Sequence, residues 1–240
     1  QGLSTTAGLA GNIQFIATAD FDRDGNMDFV VRDGEAAAMP ANNVGIRFGN
    51  GLGGFGAFTL LTAVDGAGAI VAADFNGDNA PDIAVANMIS GNVTIFLNDG
   101  TGRAYPMPAN VGVGTTPVDL KAGDIDGDGD LDLVTANQGS DNVSLLTNNG
   151  AGGFAGANFA TMGTSPAGVA IGEFTGDGLV DIAVAHTGSL DLTVLPNEPA
   201  PSMTPFDTPV VTALPMGASG GRLVSADLDG DGDLDLGVAG

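Results

Sequence analysis

The sequence Asp124-Ile-Asp-Gly-Asp-Gly-Asp-Leu-Asp132 has carboxylates at its first, third, fifth and ninth positions and a glycine at its sixth. Carboxylates this close repel one another unless a positive charge lies among them. Alternating side-chain oxygens in a tight loop, together with the backbone carbonyl of the seventh residue, are ligands that a hard cation such as Ca²⁺ takes in proteins. The nine residues therefore predict a calcium loop.

The same pattern occurs five times, and we call the copies loops one to five: residues 20–28, 74–82, 124–132, 173–181 and 227–235. Their first residues are separated by 54, 50, 49 and 54 positions, which is typical of a repeat architecture. The candidate side-chain ligands, at positions one, three, five and nine, are Asp20, Asp22, Asp24 and Asp28; Asp74, Asn76, Asp78 and Asp82; Asp124, Asp126, Asp128 and Asp132; Glu173, Thr175, Asp177 and Asp181; and Asp227, Asp229, Asp231 and Asp235.

Loops two and four depart from the pattern. Asn76 replaces one carboxylate in loop two, and Thr175 replaces one in loop four, where the longer Glu173 stands first. Because the number of charged ligands tunes calcium affinity, we expect these two loops to bind Ca²⁺ more weakly than the others. Asn79 also replaces the turn glycine of loop two, and asparagine tolerates a left-handed backbone better than other residues with a side chain.

The charge of the chain limits its partners. Six basic residues stand against 29 acidic ones, which gives a formal net charge of −23, and the loop positions above supply 18 of the acids. Such a chain is repelled by nucleic acids and by anionic membranes. It has no cysteine, no transmembrane run and no signal peptide, and it starts at Gln1 as a processed product would. Since Ca²⁺ is abundant outside cells, we expect an extracellular or cell-surface (secreted) protein.

Short apolar runs lie on both sides of every loop and predict an antiparallel pair of buried strands, because they are β-branched, alanine-rich and bounded by Gly and Asp. The runs before the loops are residues 13–19, 69–73, 118–123, 169–172 and 223–226, and those after the loops are 29–31, 83–86, 133–136, 182–185 and 236–239. A third run follows at residues 44–48, 93–97, 143–147 and 192–195. In the first three repeats a glycine-rich turn comes next, and its closing aromatic residue is expected to start a fourth, more polar strand.

Four antiparallel strands in a repeat of this length predict an all-β fold: a β-propeller of four-stranded blades, each with a calcium loop between its first two strands. The competing architecture is a stacked β-solenoid, whose repeats are shorter. The repeats are expected at about residues 12–63, 69–114, 117–163, 166–214 and 222–240, within a single propeller domain or part of one. The last repeat lacks its third and fourth strands, so we expect a longer chain or another subunit to complete it.

The loop motif, followed by Asn-Val-(x)4-Asn-x-Gly-x-Gly-x-Phe, resembles the FG-GAP/VCBS repeat; the best matches are residues 142–154 and residues 43–55, where Gly49 replaces the second Asn. The resemblance covers nearly the whole chain. It implies the calcium-binding β-propeller found in integrin α subunits, related fungal lectins and many bacterial surface proteins. It also implies that position seven supplies a backbone carbonyl ligand, at Asn26, Ala80, Asp130, Leu179 and Asp233.

Other chemistries fit less well. An EF-hand needs a Glu at position 12, where loops one to four have Val31, Val85, Thr135 and Val184. The only histidine, His186, has no second histidine or cysteine to share a metal with and is expected to be a polar residue at a strand end. Two glycosylation patterns, at Asn92 and Asn142, open buried-looking strands and are expected to be chance matches.

These observations leave three functional hypotheses. The first is an extracellular recognition or adhesion module, in which calcium stiffens a scaffold that binds a protein or a glycan. The second is a structural subunit of a cell-surface layer or extracellular fibre, with self-association through the incomplete last blade. A hydrolase built on a carboxylate pair is the least favoured, because most of the acids are already assigned as metal ligands; we expect no enzymatic activity.

Overall fold

The structure, a computed structural model, describes residues 15–33, 43–62, 64–106, 108–198, 206–214 and 221–239. Over these ranges the chain forms 18 β-strands and no helix, so the described part contains nothing helical that could cross a membrane. The strands make five antiparallel sheets, in each of which neighbouring strands follow one another along the chain.

We number the sheets one to five. Sheet one contains β1 (Ile16–Ala19), β2 (Asp28–Asp33), β3 (Asn43–Arg47) and β4 (Thr59–Leu61). Sheet two contains β5 (Ala67–Ala73), β6 (Asp82–Asn87), β7 (Asn92–Phe96) and β8 (Ala109–Gly112). Sheet three contains β9 (Pro117–Gly123), β10 (Asp132–Asn137), β11 (Asn142–Asn148) and β12 (Phe154–Ala160). Sheet four contains β13 (Pro166–Gly172), β14 (Asp181–His186), β15 (Asp191–Leu195) and β16 (Val210–Ala213), and sheet five contains β17 (Arg222–Ala226) and β18 (Asp235–Ala239).

The first strands of successive sheets pack side by side: β1 against β5, β5 against β9, β9 against β13, and β13 against β17. This arrangement is propeller-like, with the first strand of each sheet innermost. The backbones approach closely there. A Cβ added to Gly168 of β13 would lie 2.8 Å from the backbone nitrogen of Leu223 in β17. Each loop joins the first strand of a sheet to the second, so all five loops lie at the same end of the sheets.

The hydrophobic core lies between the sheets. All residues of β6, β10 and β14 are buried, which confirms the prediction of strands covered on both faces for the second strands of sheets two to four. The first strands differ. The last three residues of β5 and β9 are only half-buried, and β1 alternates between exposed and half-buried positions. These less buried ends lead directly into the polar loops, where solvent reaches the chain.

The predicted start of the fourth strand is correct only in sheet three, where Phe154 begins β12. In sheets one and two the strand begins later, at Thr59 and Ala109, although Phe55 still bridges Gly49. In sheet two, Pro106 follows the aromatic residue and has no backbone N–H to pair with β7. The aromatic side chain therefore marks a packing position rather than the start of a strand.

Sheet five consists of the β17–β18 hairpin in the described residues, and it is poorly covered. Val224 of β17 is 63% exposed, and every residue of β18 is half-buried or exposed. Leu228 is also 68% exposed, whereas Phe21, at the same position of loop one, is fully buried. The difference arises because sheet two covers loop one, and the described chain places no further sheet over loop five.

Neighbouring sheets are joined by an asparagine at or just beyond the end of the third strand. The side-chain Nδ2 of Asn148 donates hydrogen bonds to the carbonyl of Leu131 in its own loop (3.1 Å) and to the carbonyl of Phe75 in the preceding loop (2.8 Å). Asn98 bonds in the same way to Pro81 and Phe21, and Asn197 to Val180 and Ile125. These amides tie loops two, three and four each to the loop of the sheet before it.

We predict that Asn148→Ala lowers the free energy of unfolding by about 1–3 kcal/mol, because two carbonyl groups lose their donor in a buried place. Thr147→Ala is the matched control, since the Thr147 hydroxyl makes one long, exposed bond of 3.4 Å to Ala155. Denaturant unfolding at fixed Ca²⁺ measures both variants. Equal stability of the two would contradict a role for the amide between sheets.

Candidate metal centre

The turn of each loop is built around its first carboxylate. In loop three, the Oδ1 and Oδ2 atoms of Asp124 accept the backbone N–H groups of Gly127 (2.8 Å) and Gly129 (3.1 Å). Asp20, Asp74 and Asp227 hold their loops with equivalent bonds. The sixth residue has a positive φ in every loop, including 66° at Asn79, as its replacement of glycine predicts. The chain therefore curls around the position-one oxygens.

The ninth carboxylate connects the loop to the sheet. Asp132 is completely buried; its Oδ2 accepts the N–H of Ile125 (3.0 Å) and its Oδ1 the N–H of Asn148 beyond the hairpin (2.8 Å). Asp28, Asp82 and Asp181 repeat this pair of bonds in loops one, two and four. In loop five, Asp235 accepts the N–H of Leu228. Loop, second strand and third strand are thus fixed together by one side chain.

Burial makes these carboxylates costly to ionise. Desolvation raises the pKa of Asp28 and Asp132 although two backbone N–H groups act against it in each case. The same balance, with a further contribution from the charges of Asp78 and Asp74, raises the pKa of Asp82 to about 6. Desolvation, with Asp128 and Asp124 nearby, also raises the pKa of Asp126. Negative charge therefore accumulates where burial disfavours it, and a cation would relieve that cost.

Three of the five loops bring three carboxylate oxygens within 4.8 Å of one another. They are the loops with four acidic ligands, and the clustered residues are Asp20, Asp22 and Asp28; Asp124, Asp126 and Asp132; and Asp227, Asp229 and Asp235. The fifth-position residues Asp24, Asp128 and Asp231 stand outside the clusters and accept the N–H of the seventh residue at 2.8 or 2.9 Å. Positions one, three and nine thus form the compact part of each site.

Loops two and four are not among these clusters. In loop two, the amide of Asn76 donates to Asp78 (3.1 Å). Position three of this loop therefore has a neutral hydrogen-bond donor where loops one, three and five have a carboxylate. In loop four, Glu173 accepts the N–H groups of Thr175 and Gly176, and Asp177 accepts that of Leu179, as Asp78 accepts that of Ala80. Weaker cation binding by these two loops stays a prediction, as do the carbonyl ligands at position seven.

The surroundings of Asp22 in loop one show whether the cluster suits a cation. The Asp22 side chain is only 4% exposed, and its Oδ1 atom has no hydrogen-bond partner in the described structure. A buried carboxylate oxygen without a donor is costly, and a hard cation bound among the three carboxylates would provide its partner. The residues of loop one therefore fit Ca²⁺ by charge, by atom type and by a buried carboxylate oxygen that has no donor.

Sequence reasoning missed two features beside the loops. The asparagine at or just beyond the end of the third strand in sheets two to four was visible as a recurrent letter, but only the structure shows that it reaches the preceding loop. Arg103, in the turn after β7, places its Nη2 2.6 Å from the Oδ2 of Asp22. No repeated pattern signals this contact. Asp22 and Arg103 are 81 residues apart, and the corresponding turns of the other repeats contain no arginine.

His186 lies at the end of β14, as the sequence predicts, and is completely buried. Its Nε2 lies 2.8 Å from the Thr161 hydroxyl, and its Nδ1 lies 2.8 Å from Asp191 Oδ1 without the alignment of a hydrogen bond. Desolvation lowers the pKa of His186, although Asp191 opposes the shift. Because Thr161 is also completely buried, no substrate can approach this hydroxyl in the present conformation.

Sheets two and three place asparagine pairs at the same positions. Asn87 donates to Asn92 and Thr94, each at 2.7 Å, and Asn137 donates to Asn142 (2.9 Å) and Ser144 (2.8 Å). The two asparagines of the glycosylation patterns, Asn92 and Asn142, thus accept hydrogen bonds from the neighbouring strand of their own sheet. In sheet four the corresponding hydroxyl, that of Thr193, is buried and has no hydrogen-bond partner among the described residues.

We predict that the double variant His186→Asn/Asp191→Asn keeps its stability within about 1 kcal/mol of the parent, because an amide can donate to Thr193 as in sheets two and three. His186→Ala, which removes the partner of the buried Thr161 hydroxyl and leaves a cavity beside Asp191, is expected to lose about 1–3 kcal/mol. Thermal unfolding at fixed pH and Ca²⁺ compares them. A double variant as unstable as His186→Ala would contradict the structural role.

Comparisons with known proteins agree with the repeat architecture. Three solved structures share the fold. BBS1N in complex with ARL6DN has 20% identity and a TM-score of 0.52, over 86% of this chain and 59% of that one. A functionally unknown protein from Desulfotomaculum acetoxidans has 15% identity and a TM-score of 0.53, over 82% and 56%. The rhamnogalacturonan lyase YesW has 14% identity and a TM-score of 0.50, over 95% and 55%.

At these identities the likeness concerns the fold alone, and the chain spans less than three-fifths of each of the three structures. No curated protein matches the chain. The model of the FG-GAP-like repeat matches it three times, at residues 74–135, 124–184 and 174–238. Since these stretches together cover more than half of the sequence, the chain belongs to the family of FG-GAP-like repeat proteins.

Proposed function

We propose that this chain is an extracellular calcium-binding β-propeller that serves as a recognition or adhesion module for a protein or glycan ligand. The observation that carries the proposal is the recurrence of one carboxylate cluster in loops one, three and five, all at the same end of the sheets. A fold that only needed solubility would spread its acids over the surface. Here they converge on points that suit a divalent cation.

Membership of the FG-GAP-like family supports the extracellular assignment, because such repeats are typical of extracellular proteins. Calcium loops of moderate affinity are also filled where Ca²⁺ is abundant. Five bound Ca²⁺ ions would change the formal net charge from −23 to −13. The chain would remain strongly acidic, which agrees with a protein or glycan ligand rather than nucleic acid or a membrane surface.

We further propose that the chain is not an enzyme. The carboxylates that come together are engaged by backbone N–H groups and lie in the cation loops, so they are poorly placed to act as a free acid and base. The one histidine is buried in a strand pair. The likeness to a lyase, at 14% identity, concerns the fold and supplies no catalytic residue.

We predict that removing Ca²⁺ lowers the melting temperature. Without a cation the clustered carboxylates repel one another, and each site saturated at a hundred times its dissociation constant contributes about 2.7 kcal/mol to the folded state. Thermal unfolding is measured in excess chelator and again after Ca²⁺ is restored, with metal analysis at both stages. An unchanged melting curve after confirmed metal removal would contradict structural calcium.

The recognition role is tested by binding to immobilised glycans and to candidate surface proteins, at millimolar Ca²⁺ and in chelator. We expect calcium-dependent binding that Asp126→Asn and Asp229→Asn reduce, since these changes weaken two of the clusters without touching the buried ninth carboxylates. Binding that is equally strong in chelator would contradict a calcium-dependent module.

A structural subunit of a surface layer or fibre is the second candidate, and the poorly covered hairpin of sheet five favours it. The outer edge of β18 pairs with no strand among the residues described, and Leu234 beside it is 39% exposed. Open strand edges invite pairing with another chain. Ordered assemblies in electron micrographs of the purified chain, abolished by a proline in β18, would favour this role.

A further inference from the structure

Arg103 brings a positive charge into one of the candidate cation sites. It lies in the turn after β7 of sheet two, and its guanidinium crosses to sheet one, where its Nη2 lies 2.6 Å from the Oδ2 of Asp22. Its Cζ also lies 4.8 Å from the centre of the Phe48 ring, which holds the planar group beside loop one. The side chain thus joins the position-three carboxylate of one sheet to the turn of the next.

The two oxygens of Asp22 have different surroundings. Oδ2 accepts the bond from Arg103, whereas Oδ1 is buried and has no hydrogen-bond partner in the described structure. One oxygen of this carboxylate belongs to the cluster with Asp20 and Asp28. The carboxylate therefore lies between a guanidinium on one side and a candidate cation site on the other.

Loops three and five have the same clusters but no such arginine. Among the described residues, no basic side chain forms an ion pair with Asp126 or Asp229, the position-three carboxylates of these loops. Each such turn faces the loop of the preceding sheet, so the turn that corresponds to the Arg103 turn for loop three is that of sheet four, where residues 196–206 contain no basic residue. The three clusters are therefore alike in their carboxylates and unlike in their neighbours.

We propose that Arg103 is a resident counter-cation of loop one, which lowers the affinity of that loop for Ca²⁺ and makes it fill after loop three. The proposal rests on cation binding by loop one, as proposed above. The positive guanidinium shares a ligand carboxylate with the dication, so the two repel each other across a few ångströms. Because the Arg103 side chain is 66% exposed, solvent moderates this repulsion but does not remove it.

Filling of loop one is thereby linked to the junction of sheets one and two. A cation that takes negative charge from Asp22 weakens the ion pair with Arg103, and the ion pair in turn opposes the cation. Asn98 still joins the two sheets through the carbonyl of Phe21, so the junction persists when the ion pair weakens. Loop three, which lacks the arginine, has no such link.

The test uses a parent chain with Asp126→Asn and Asp229→Asn, which removes the middle carboxylates of loops three and five. Ca²⁺ titration by calorimetry compares this parent with the same chain carrying Arg103→Gln. We expect the variant to bind Ca²⁺ at loop one roughly three- to tenfold more tightly at low ionic strength, with the difference shrinking in about 1 M salt. Adding Asp22→Asn is expected to abolish the gain, which assigns it to loop one.

Two controls separate the local charge from other effects. Arg47→Gln changes the net charge equally, but Arg47 bonds to Gly56 and stacks on Phe58 instead of facing a loop, so it should leave the affinity within about twofold. Arg103→Lys keeps the charge and should resemble the parent.

Binding that Arg103→Gln leaves unchanged or weakens would overturn the proposal while calcium binding by loop one stands. Binding seen only after Arg103→Gln would support it in its strongest form, with the arginine excluding the cation. Absence of binding at loop one in both chains would refute both the calcium site and the proposal.

Discussion

The rest of the structure depends on a buried carboxylate that accepts two backbone N–H groups, one from its own loop and one from the end of the third strand or just beyond it. Asp132 bonds to Ile125 at the start of loop three and to Asn148 at the end of the third strand, and equivalents in loops one, two and four do the same. The bonds compensate part of the cost of burying the charge. These bonds fix the loop to the sheet without a bound cation.

This arrangement concentrates negative charge at one end of the fold. The buried ninth carboxylate cannot move away from the carboxylates at positions one and three, because its own oxygens are held by the sheet. Separation of the sheets would reduce the repulsion but would lose the close packing of the inner strands, illustrated by the approach of Gly168 to Leu223. A divalent cation among the carboxylates, as proposed above, would relieve this repulsion.

The loops are also connected from sheet to sheet. In sheets two to four, the asparagine at or just beyond the end of the third strand donates a short, buried hydrogen bond to the preceding loop. Sheet one has Gly49 at this position, where a Cβ would lie 2.3 Å from the carbonyl oxygen of Met27. Loop one is distinguished further by the ion pair between Asp22 and Arg103. Among the described residues, no carboxylate of another loop forms an ion pair. Sites that share a motif therefore differ in their surroundings.

The sequence by itself determined the repeat length, the all-β class, the strands that flank each loop and the acidic positions of the loops. These follow from local rules: alternation of short apolar runs with Gly and Asp, and the left-handed turn that glycine or Asn79 permits. The strands around the loops are where these rules place them, with small differences at their ends. The repeated motif also predicted the family resemblance, which the FG-GAP-like matches confirm.

Only the tertiary structure decided which carboxylates come together and what lies next to them. Asp22 and Arg103 are 81 residues apart, and Asn148 reaches Phe75 across 73 residues. Such contacts depend on how one sheet lies on the next, which no local pattern specifies. The late start of the fourth strands in sheets one and two, and the exposure of Leu228, likewise depend on neighbouring sheets. Burial and the approach of distant groups are properties of packing, and packing is established only when the sheets are assembled.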